Sequence, residues 1–362
     1  PVGQAPAELK PSADCENGLE LGRWLALDRA PTGYQTPQSL LALAMSVMPD
    51  LLEPIGGEPP ISPRWVAITY PEQGPSRGQW RRGWTFIELH EPAGQQGGAY
   101  RLAQTQALTA AERGLRLPEL TCIEHANIIL IGVGSLGSKV AIELAKAGAG
   151  RLVLWDHDRY DVNNAVRHEL PVSAAGSYKA TAMAEVCKRA NPFCDVVPDC
   201  EPFGTEQAVA EKFLERLQAA RLVIDTTGSR EVTRIAERYC RAAGVPLLTA
   251  SLTRGSRGGD MLLLAPELCL DCFLLAQQEQ AIPSPIEGEQ PLVLPVGCAD
   301  PAFSGAGFDA SELASAVARM AIRATALTEY PALDHNWAVI NFTEEPHWTQ
   351  GTIEPNPTCG HC

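Results

Sequence analysis

The sequence predicts an α/β protein built on a doubly wound parallel sheet and preceded by a smaller α+β domain. From about residue 119, apolar runs alternate with helical periods, a pattern typical of β-α-β units whose right-handed crossovers cover both faces of a parallel sheet. The residues before that point are rich in Pro and Gly and hold four of the seven Trp. A chain of 362 residues is long enough for about two domains. We therefore predict domains at 1–118 and 119–362.

The first domain shows a short helical pattern at 36–48 and strand-like runs at 65–70 and 83–90. It has no acid/base pair or metal-ligand spacing, so we interpret it as a linker or packing domain. In the second domain the predicted strands are 127–131, 151–155, 221–225 and 246–251, and the predicted helices are 137–147, 177–190 and 229–243.

Composition excludes several classes of function. Twenty-nine basic and forty-three acidic side chains give a net charge of -14, so we expect a few placed donors to hold any phosphate ligand, and no nucleic-acid partner. No apolar run approaches the roughly 18 residues of a membrane span. The 11 cysteines include two C-x-x-C pairs, which favours a reducing compartment, the cytoplasm. The chain opens at Pro1, which suggests a processed or excised piece.

A glycine-rich turn joins the first predicted strand of the second domain to its first helix. Gly132, Gly134 and Gly137 follow the strand 127–131 directly. In a Rossmann-like sheet such a turn brings backbone N–H groups close to phosphates at the positive end of a helix. Alone, the motif fits NAD, FAD and ATP enzymes equally well.

Polar residues beyond the next strand favour a nucleoside triphosphate. Asp156 lies 24 residues after Gly132, where a carboxylate reaches ribose hydroxyls. Asp158, Asn164 and Arg167 follow. A nicotinamide slot is apolar, whereas Arg167 can clamp phosphates bidentately.

Two further charged residues follow in the order that this chemistry needs. Lys179 lies near a helix start, and Asp225 ends a strand, where a carboxylate can hold Mg²⁺ against phosphates. Each has a structural alternative: Lys179 as a solvated helix lysine and Asp225 as a helix cap.

These features together resemble the ThiF/MoeB adenylyltransferases, a family that includes the ubiquitin-activating enzymes. The resemblance covers about residues 120–362. It implies that ATP and Mg²⁺ adenylate the C-terminal glycine of a protein with a ubiquitin-like tail. It further implies that Asp156 binds ribose, that Asn164 and Arg167 bind phosphates, that Lys179 stabilises the transition-state charge, and that Asp225 holds the metal.

Two departures from the family pattern stand out. The family usually has Gln after the arginine, where this chain has His168, a change that we expect to be tolerated. The family also has an arginine on a helix before the first strand, for which Arg113 and Arg116 are the nearest candidates. The homodimer typical of the bacterial relatives is expected here as well.

The two C-x-x-C pairs supply four thiolates, Cys269, Cys272, Cys359 and Cys362, which suffice for a closed tetrahedral Zn²⁺ site. The 86 intervening residues exceed the span of a compact zinc ribbon. We predict a structural zinc ion that holds the end of the chain on the domain.

Cys298 lies between the two pairs in a loop of small residues and prolines. A nucleophilic thiol must be approachable, and related activating enzymes carry their thioester-forming cysteine in this loop. We interpret Cys298 as a nucleophile, the alternative being an inert buried cysteine.

The segment around Cys298 and the additional N-terminal domain look most like the activating enzymes of bacterial CBASS anti-phage operons. That likeness implies a cGAS-like nucleotidyltransferase as the tail-bearing substrate and a ubiquitin-conjugating-type domain or protein as partner. The alternatives are a sulfur-carrier adenylyltransferase of thiamin or molybdopterin synthesis, an NAD-dependent dehydrogenase and an inactive zinc-bound scaffold.

Overall fold

The computed structural model describes residues 23–31, 36–52, 64–73, 78, 80–90, 99–103, 118–204, 206–288, 305–325, 334–343 and 345–361. Cys298, Cys362, Arg113 and Arg116 lie outside these residues. The chain forms two compact units, Pro1–Leu108 and Thr109–Cys362. The boundary between them lies ten residues before the boundary that the sequence predicts.

The first unit carries one helix and a four-stranded sheet. The strands are β1 (Arg23–Ala26), β2 (Arg64–Gln73), β3 (Trp80–His90) and β4 (Ala99–Ala103), in that spatial order, and the helix is α1 (Pro37–Val47). Only the first pair of strands is parallel. Thr36 begins the helix because its side chain accepts the N–H of Ser39. Leu40, Leu41 and Ala44 of the helix share a core with Ile68 and Ile87 of the sheet.

The second unit is a three-layer α/β domain, and it confirms the predicted doubly wound architecture. Its strands are β5 (Asn127–Ile131), β6 (Arg151–Trp155), β7 (Asp195–Asp199), β8 (Leu222–Asp225), β9 (Leu247–Leu252), β10 (Gly258–Leu264), β11 (Trp337–Asn341) and β12 (His347–Gly351). Its helices are α2 (Ser135–Ala147), α3 (Lys179–Ala190), α4 (Gln207–Leu217), α5 (Arg230–Ala243), α6 (Leu270–Gln278) and α7 (Gly307–Thr325). The core on one face joins the sheet to α2, α3 and α7, and the core on the other joins it to α4, α5 and α6.

The sheet is mixed, which corrects the prediction of a purely parallel one. Its order is β12-β11-β10-β9-β8-β5-β6-β7, and the five strands from β9 to β7 are parallel. At the other end of the sheet the neighbouring pairs β9–β10, β10–β11 and β11–β12 are antiparallel. The five residues between β9 and β10 are too few for the crossover that a parallel neighbour requires, so β10 must reverse direction.

The order of the strands indicates where the ligand crevice lies. The chain moves from β5 through β6 to β7 on one side, and β8 and β9 lie on the other. Ligands of open α/β sheets bind beyond the carboxyl ends of the strands where this direction changes. That point lies between β5 and β8, so the turns after Ile131 and Asp225 face each other there. None of the helices in the described ranges is long and apolar enough to cross a membrane.

Candidate nucleotide site

The glycine turn at 132–137 is shaped by close backbone approach. Gly132 has a φ of 83°, and its N–H donates to the carbonyl of Trp155 at 2.8 Å. A Cβ on Gly137 would lie 1.9 Å from the carbonyl oxygen of Gly132. Gly134 precedes the first residue of α2, and a Cβ there would meet no atom within 4 Å. The turn is therefore tightly packed on its inner side and open in front of the helix N-terminus.

The side chain of Asp156 is fixed against this turn. One carboxylate oxygen accepts the N–H of Val133 at 2.6 Å, and the other accepts the N–H of Asp158 at 2.8 Å. Burial raises the pKa of Asp156, while the charge of Lys179 and the two backbone hydrogen bonds oppose that rise. The end of β6 and the glycine turn are thus held together by one carboxylate.

Lys179 and Asp158 form an ion pair beside Asp156. The ammonium group lies 2.7 Å from the Asp158 carboxylate, and the N–H of Lys179 also donates to the carbonyl of Asp158 at 2.9 Å. Lys179 is the first residue of α3 and is buried, whereas the Asp158 side chain is about half exposed. The alternative of a solvated helix lysine is therefore wrong. The pair places a positive charge close to the glycine turn.

Asn164 and Arg167 lie in a short turn that packs on the start of α2. Asp161 begins this turn by accepting the N–H of Asn163, and the carbonyl of Asn164 accepts the N–H of Arg167. The hydroxyl of Ser135 in the first turn of α2 donates to the carbonyl of Arg167 at 3.3 Å. Burial lowers the pKa of the Arg167 guanidinium, and the carboxylate of Asp161 opposes this. The structure thus brings Arg167 to the same helix N-terminus as the glycine turn.

His168 makes two hydrogen bonds that a glutamine can also make. Its Nδ1 accepts the N–H of Leu170 at 3.1 Å, so its Nε2 carries the proton and donates to the carbonyl of Val133 at 2.8 Å. Burial lowers the pKa of His168 to about 4. The ring is therefore neutral near pH 7 and supplies one donor and one acceptor, like a side-chain amide. This gives a physical reason for the departure from the family pattern.

Asp225 is the most enclosed acid of the crevice. One oxygen accepts from the N–H and the hydroxyl of Thr227 at 2.9 and 2.7 Å, and the other accepts from the hydroxyl of Thr233 at 2.6 Å. The residue is 1% exposed, and burial raises its pKa. The cap of α5 is Ser229, so the helix-cap alternative for Asp225 is wrong.

Sequence reasoning missed the threonines that support this crevice. Thr227 and Thr233 orient the Asp225 carboxylate, and the hydroxyl of Thr226 donates to the carbonyl of Gly132 at 2.6 Å. The signal was present for two of them, because a strand ending in an acid is followed at once by two hydroxyl residues and a glycine. The contact of Thr233 with Asp225 depends on how α5 packs on the sheet, which the local sequence does not show.

Three of the four predicted zinc ligands meet at the start of α6. The sulfur of Cys269 lies 3.6 Å from that of Cys272 and 3.5 Å from that of Cys359. Tetrahedral Zn²⁺ with bonds of about 2.3 Å separates its sulfurs by about 3.8 Å, so the spacing fits. The N–H of Asn356 donates to the sulfur of Cys272 at 3.3 Å, the kind of outer hydrogen bond that thiolate ligands receive.

The fold and the open glycine turn are those of a Rossmann-like nucleotide-binding domain. The model of the ThiF family matches residues 108–334, more than half of the chain. The chain therefore belongs to the ThiF family, which confirms the family that the sequence resembles.

Individual relatives agree with this assignment. Protein y4oA of Sinorhizobium fredii is 26% identical over 94% of this chain and 61% of its own length. The adenylyltransferase and sulfurtransferase MOCS3 of Sus scrofa is 32% identical over 39% of this chain and 31% of its own length. The ATP-dependent ubiquitin transferase-like protein Cap2 of Enterobacter hormaechei is 29% identical over 41% of this chain and 23% of its own length. The chain thus spans less than two thirds of the curated relatives that it matches.

Solved structures share the fold. Escherichia coli MccB with ATP matches with a TM-score of 0.51 and 15% identity, over 70% of this chain and 71% of that one. At this identity the likeness concerns the architecture of the chain only.

Proposed function

We propose that this chain uses ATP and Mg²⁺ to adenylate the C-terminal glycine of a protein with a ubiquitin-like tail. The observation that carries the proposal is the convergence at the strand-order reversal of an open glycine turn, an anchored Asp156 and a buried lysine, Lys179. The ThiF family match supports it. In this reaction a carboxylate oxygen attacks the α-phosphorus, the bond to the bridging oxygen breaks, and pyrophosphate leaves.

Each polar group of the crevice has a role in this proposal. Asp156 binds the ribose hydroxyls, and the N–H groups of the glycine turn meet the phosphates. Asn164 and Arg167 hold the phosphates, and Arg167 does so as a rigid fork of donors. Lys179, kept in place by Asp158, offsets the charge that develops on the phosphoryl oxygens. The one lone pair of Asp225 that the threonines leave available would hold Mg²⁺.

The proposal is tested by exchange of labelled pyrophosphate into ATP in the presence of a ubiquitin-like protein that ends in two glycines. We expect tail-dependent exchange, and a loss of about 100-fold or more in Arg167→Ala and Asp225→Ala, the size typical of removing a placed charge at a transition state. Exposed residues at the opposite ends of the strands give matched controls, Arg221→Ala and Asp195→Ala, which should retain the rate.

Other results would select the alternatives, the dehydrogenase through a separate absorbance assay for nicotinamide. Absence of exchange with every tail would contradict adenylation and would favour the alternative of an inactive zinc-bound scaffold. Reduction of a nicotinamide cofactor without an ATP requirement would select the dehydrogenase.

We further propose that the adenylate is passed to Cys298. The thiolate attacks the acyl carbon, a thioester forms, and AMP leaves. Cys298 lies seven residues before Gly305, so chain connectivity keeps it within about 25 Å of that residue. Gly307 packs directly on the backbone of Arg167, and on the other side Gly288 donates its N–H to the carbonyl of Arg254. Both flanks of the cysteine segment are therefore fixed at the carboxyl edge of the sheet, which supports a role beside the nucleotide.

Transfer from Cys298 to a conjugating cysteine and then to a target completes this proposal. The expected partner is a ubiquitin-conjugating-type domain or protein. The expected tail-bearing substrate is a cGAS-like nucleotidyltransferase, and we expect the chain to act as a cytoplasmic homodimer. The Cap2 relative, by its name a ubiquitin transferase-like protein, supports this proposal.

The MOCS3 relative favours a second candidate, activation of a sulfur carrier. This reaction shares the adenylation step and needs no thioester on Cys298. A substrate adduct that is cleaved by reductant and absent in Cys298→Ser would select conjugation. An adenylate formed equally well by the wild type and Cys298→Ser, with no such adduct, would select the sulfur carrier.

We propose Zn²⁺ for the site of Cys269, Cys272 and Cys359, with Cys362 as the fourth ligand. We expect one zinc ion per chain by atomic emission. Cys359→Ser should release it and lower the thermal midpoint by several degrees, because the metal joins α6 to the chain's end. Cys122→Ser, which changes a cysteine in another part of the domain, should keep both zinc and midpoint. A zinc-free wild type would contradict the proposal.

A further inference from the structure

Asp260 is a partly buried carboxylate that the proposed adenylation does not use. It is the third residue of β10 and pairs across the sheet with Ser251 of β9, whose hydroxyl donates to it at 2.7 Å. Burial raises the pKa of Asp260, and the Ser251 hydrogen bond and the charge of Arg230 oppose that rise. A carboxylate in a central strand is costly unless its charge is compensated.

Asp260 lies at the same edge and on the same face of the sheet as Asp225. Asp225 pairs with Thr249, and Ser251, two residues further along β9, points to the same side. The neighbouring Gly259 approaches Leu313 of α7, which covers the opposite face. Asp260 therefore faces the crevice from the side on which α5 begins.

The register gives the separation between the two acids. They are two strands apart and offset by two residues, which corresponds to about 12 Å at about 4.8 Å between strands and about 3.3 Å per residue. An extended peptide covers that distance in three or four residues. A polypeptide tail with its C-terminal carboxylate beside Asp225 has its third or fourth residue from the end beside Asp260.

The chemistry of this position favours a cationic side chain. Within the described part of the chain, Asp260 accepts one side-chain hydrogen bond, from Ser251. Arg230 is exposed at the first position of α5 and acts on Asp260 through its charge. An ionised carboxylate has about four lone-pair sites, so it keeps the capacity to bind an incoming ammonium or guanidinium group.

We propose that Asp260 and Ser251 form a subsite that selects a basic residue at the third or fourth position from the end of the tail. The inference rests on the proposed adenylation and narrows its substrate class to tails with Arg or Lys at that point. Asp260 contacts the substrate away from the reacting atoms, so it determines specificity and not the chemical step.

The test is pyrophosphate exchange with a ubiquitin-like domain whose tails end in two glycines and carry Arg, Gln or Glu at the third or the fourth residue from the end. In the wild type, kcat/KM for the Arg tail at one of the two positions should exceed that for the Gln tail by roughly 10- to 100-fold, the worth of a hydrogen bond to a charged group. Asp260→Asn should remove this preference, and Ser251→Ala should weaken it. Asp260→Lys should favour the Glu tail.

The Gln tail serves as a control for folding, because a folded Asp260→Asn should still adenylate it. Asp195→Asn, at the far edge of the sheet, should keep the full Arg preference. Equal use of the three tails at both positions by the wild type, or an unchanged Arg preference in Asp260→Asn, overturns the subsite while leaving adenylation intact. Absence of exchange with all tails overturns the proposed function and the subsite together.

Discussion

Replacement of Gly137 by alanine is expected to lower the free energy of unfolding of the second unit by about 3 kcal/mol, the upper end of the usual cost of overpacking. The new Cβ would lie 1.9 Å from the carbonyl oxygen of Gly132 and 2.5 Å from the hydroxyl of Thr226. These two atoms are hydrogen-bonded to each other, since the hydroxyl of Thr226 donates to the carbonyl of Gly132. The turn must therefore move, and we expect binding of ATP with Mg²⁺ to be lost in calorimetric titration.

Gly134→Ala is the matched control for this prediction. Its backbone has a negative φ of -82°, and its Cβ would point into open space. We expect the free energy of unfolding in urea to stay near that of the wild type, while nucleotide binding weakens because the methyl group occupies space in front of the helix. Equal loss of stability in the two variants would show that the packing assigned to Gly137 is wrong.

The sequence predicts four of the five parallel strands because their signals are local. Each strand from 127–131 to 246–251 is a short apolar run bounded by polar residues, and each following helix repeats its apolar positions at helical spacing. The glycine turn is also local, since strand, turn and helix follow one another without interruption. Two predicted strands of the second domain have the bounds seen in the structure, and the bounds of its other predicted elements differ by at most two residues.

The edges of the sheet could not be predicted in the same way. Strand β7 has Asp at both ends and Pro198 as the fourth of its five residues, a sequence that argues against a central strand. It is tolerated because β7 is the outermost strand, where a missing donor costs nothing. Strand β12, His347–Gly351, is at the other edge and is mostly polar. Edge strands bury little surface, so their sequences carry little pattern.

The partners within the site depend on tertiary structure. Asp158 and Lys179 are 21 residues apart, and their ion pair forms because β6 ends where α3 begins. His168 contacts Val133, 35 residues earlier. Spacing along the chain identified the residue types, but only the packing of α2 and α3 on the sheet determines which of these groups touch.

His168 is expected to make the stability of the second unit fall as the pH drops below neutral. Burial holds its pKa at about 4, below the ordinary 6.5. The unfolded chain therefore binds a proton at higher pH than the folded chain, and stability is lost as the pH falls from about 6.5 towards 4. The difference corresponds to about 3 kcal/mol, since each pH unit is worth about 1.4 kcal/mol. Below pH 4 both forms are protonated, and this dependence ends.

His168→Gln separates this effect from the titration of the acids. A glutamine can accept from Leu170 and donate to Val133 as the ring does, but it cannot take up a proton. We expect the variant and the wild type to unfold in urea with similar free energies at pH 7.5, and the variant to be more stable by about 3 kcal/mol near pH 4. His125→Gln, at an exposed position, should follow the wild type throughout. Parallel curves for His168→Gln and the wild type would mean that the imidazole is charged, or free to ionise, in the folded protein, and the neutral ring could then no longer account for the amide-like role at this position.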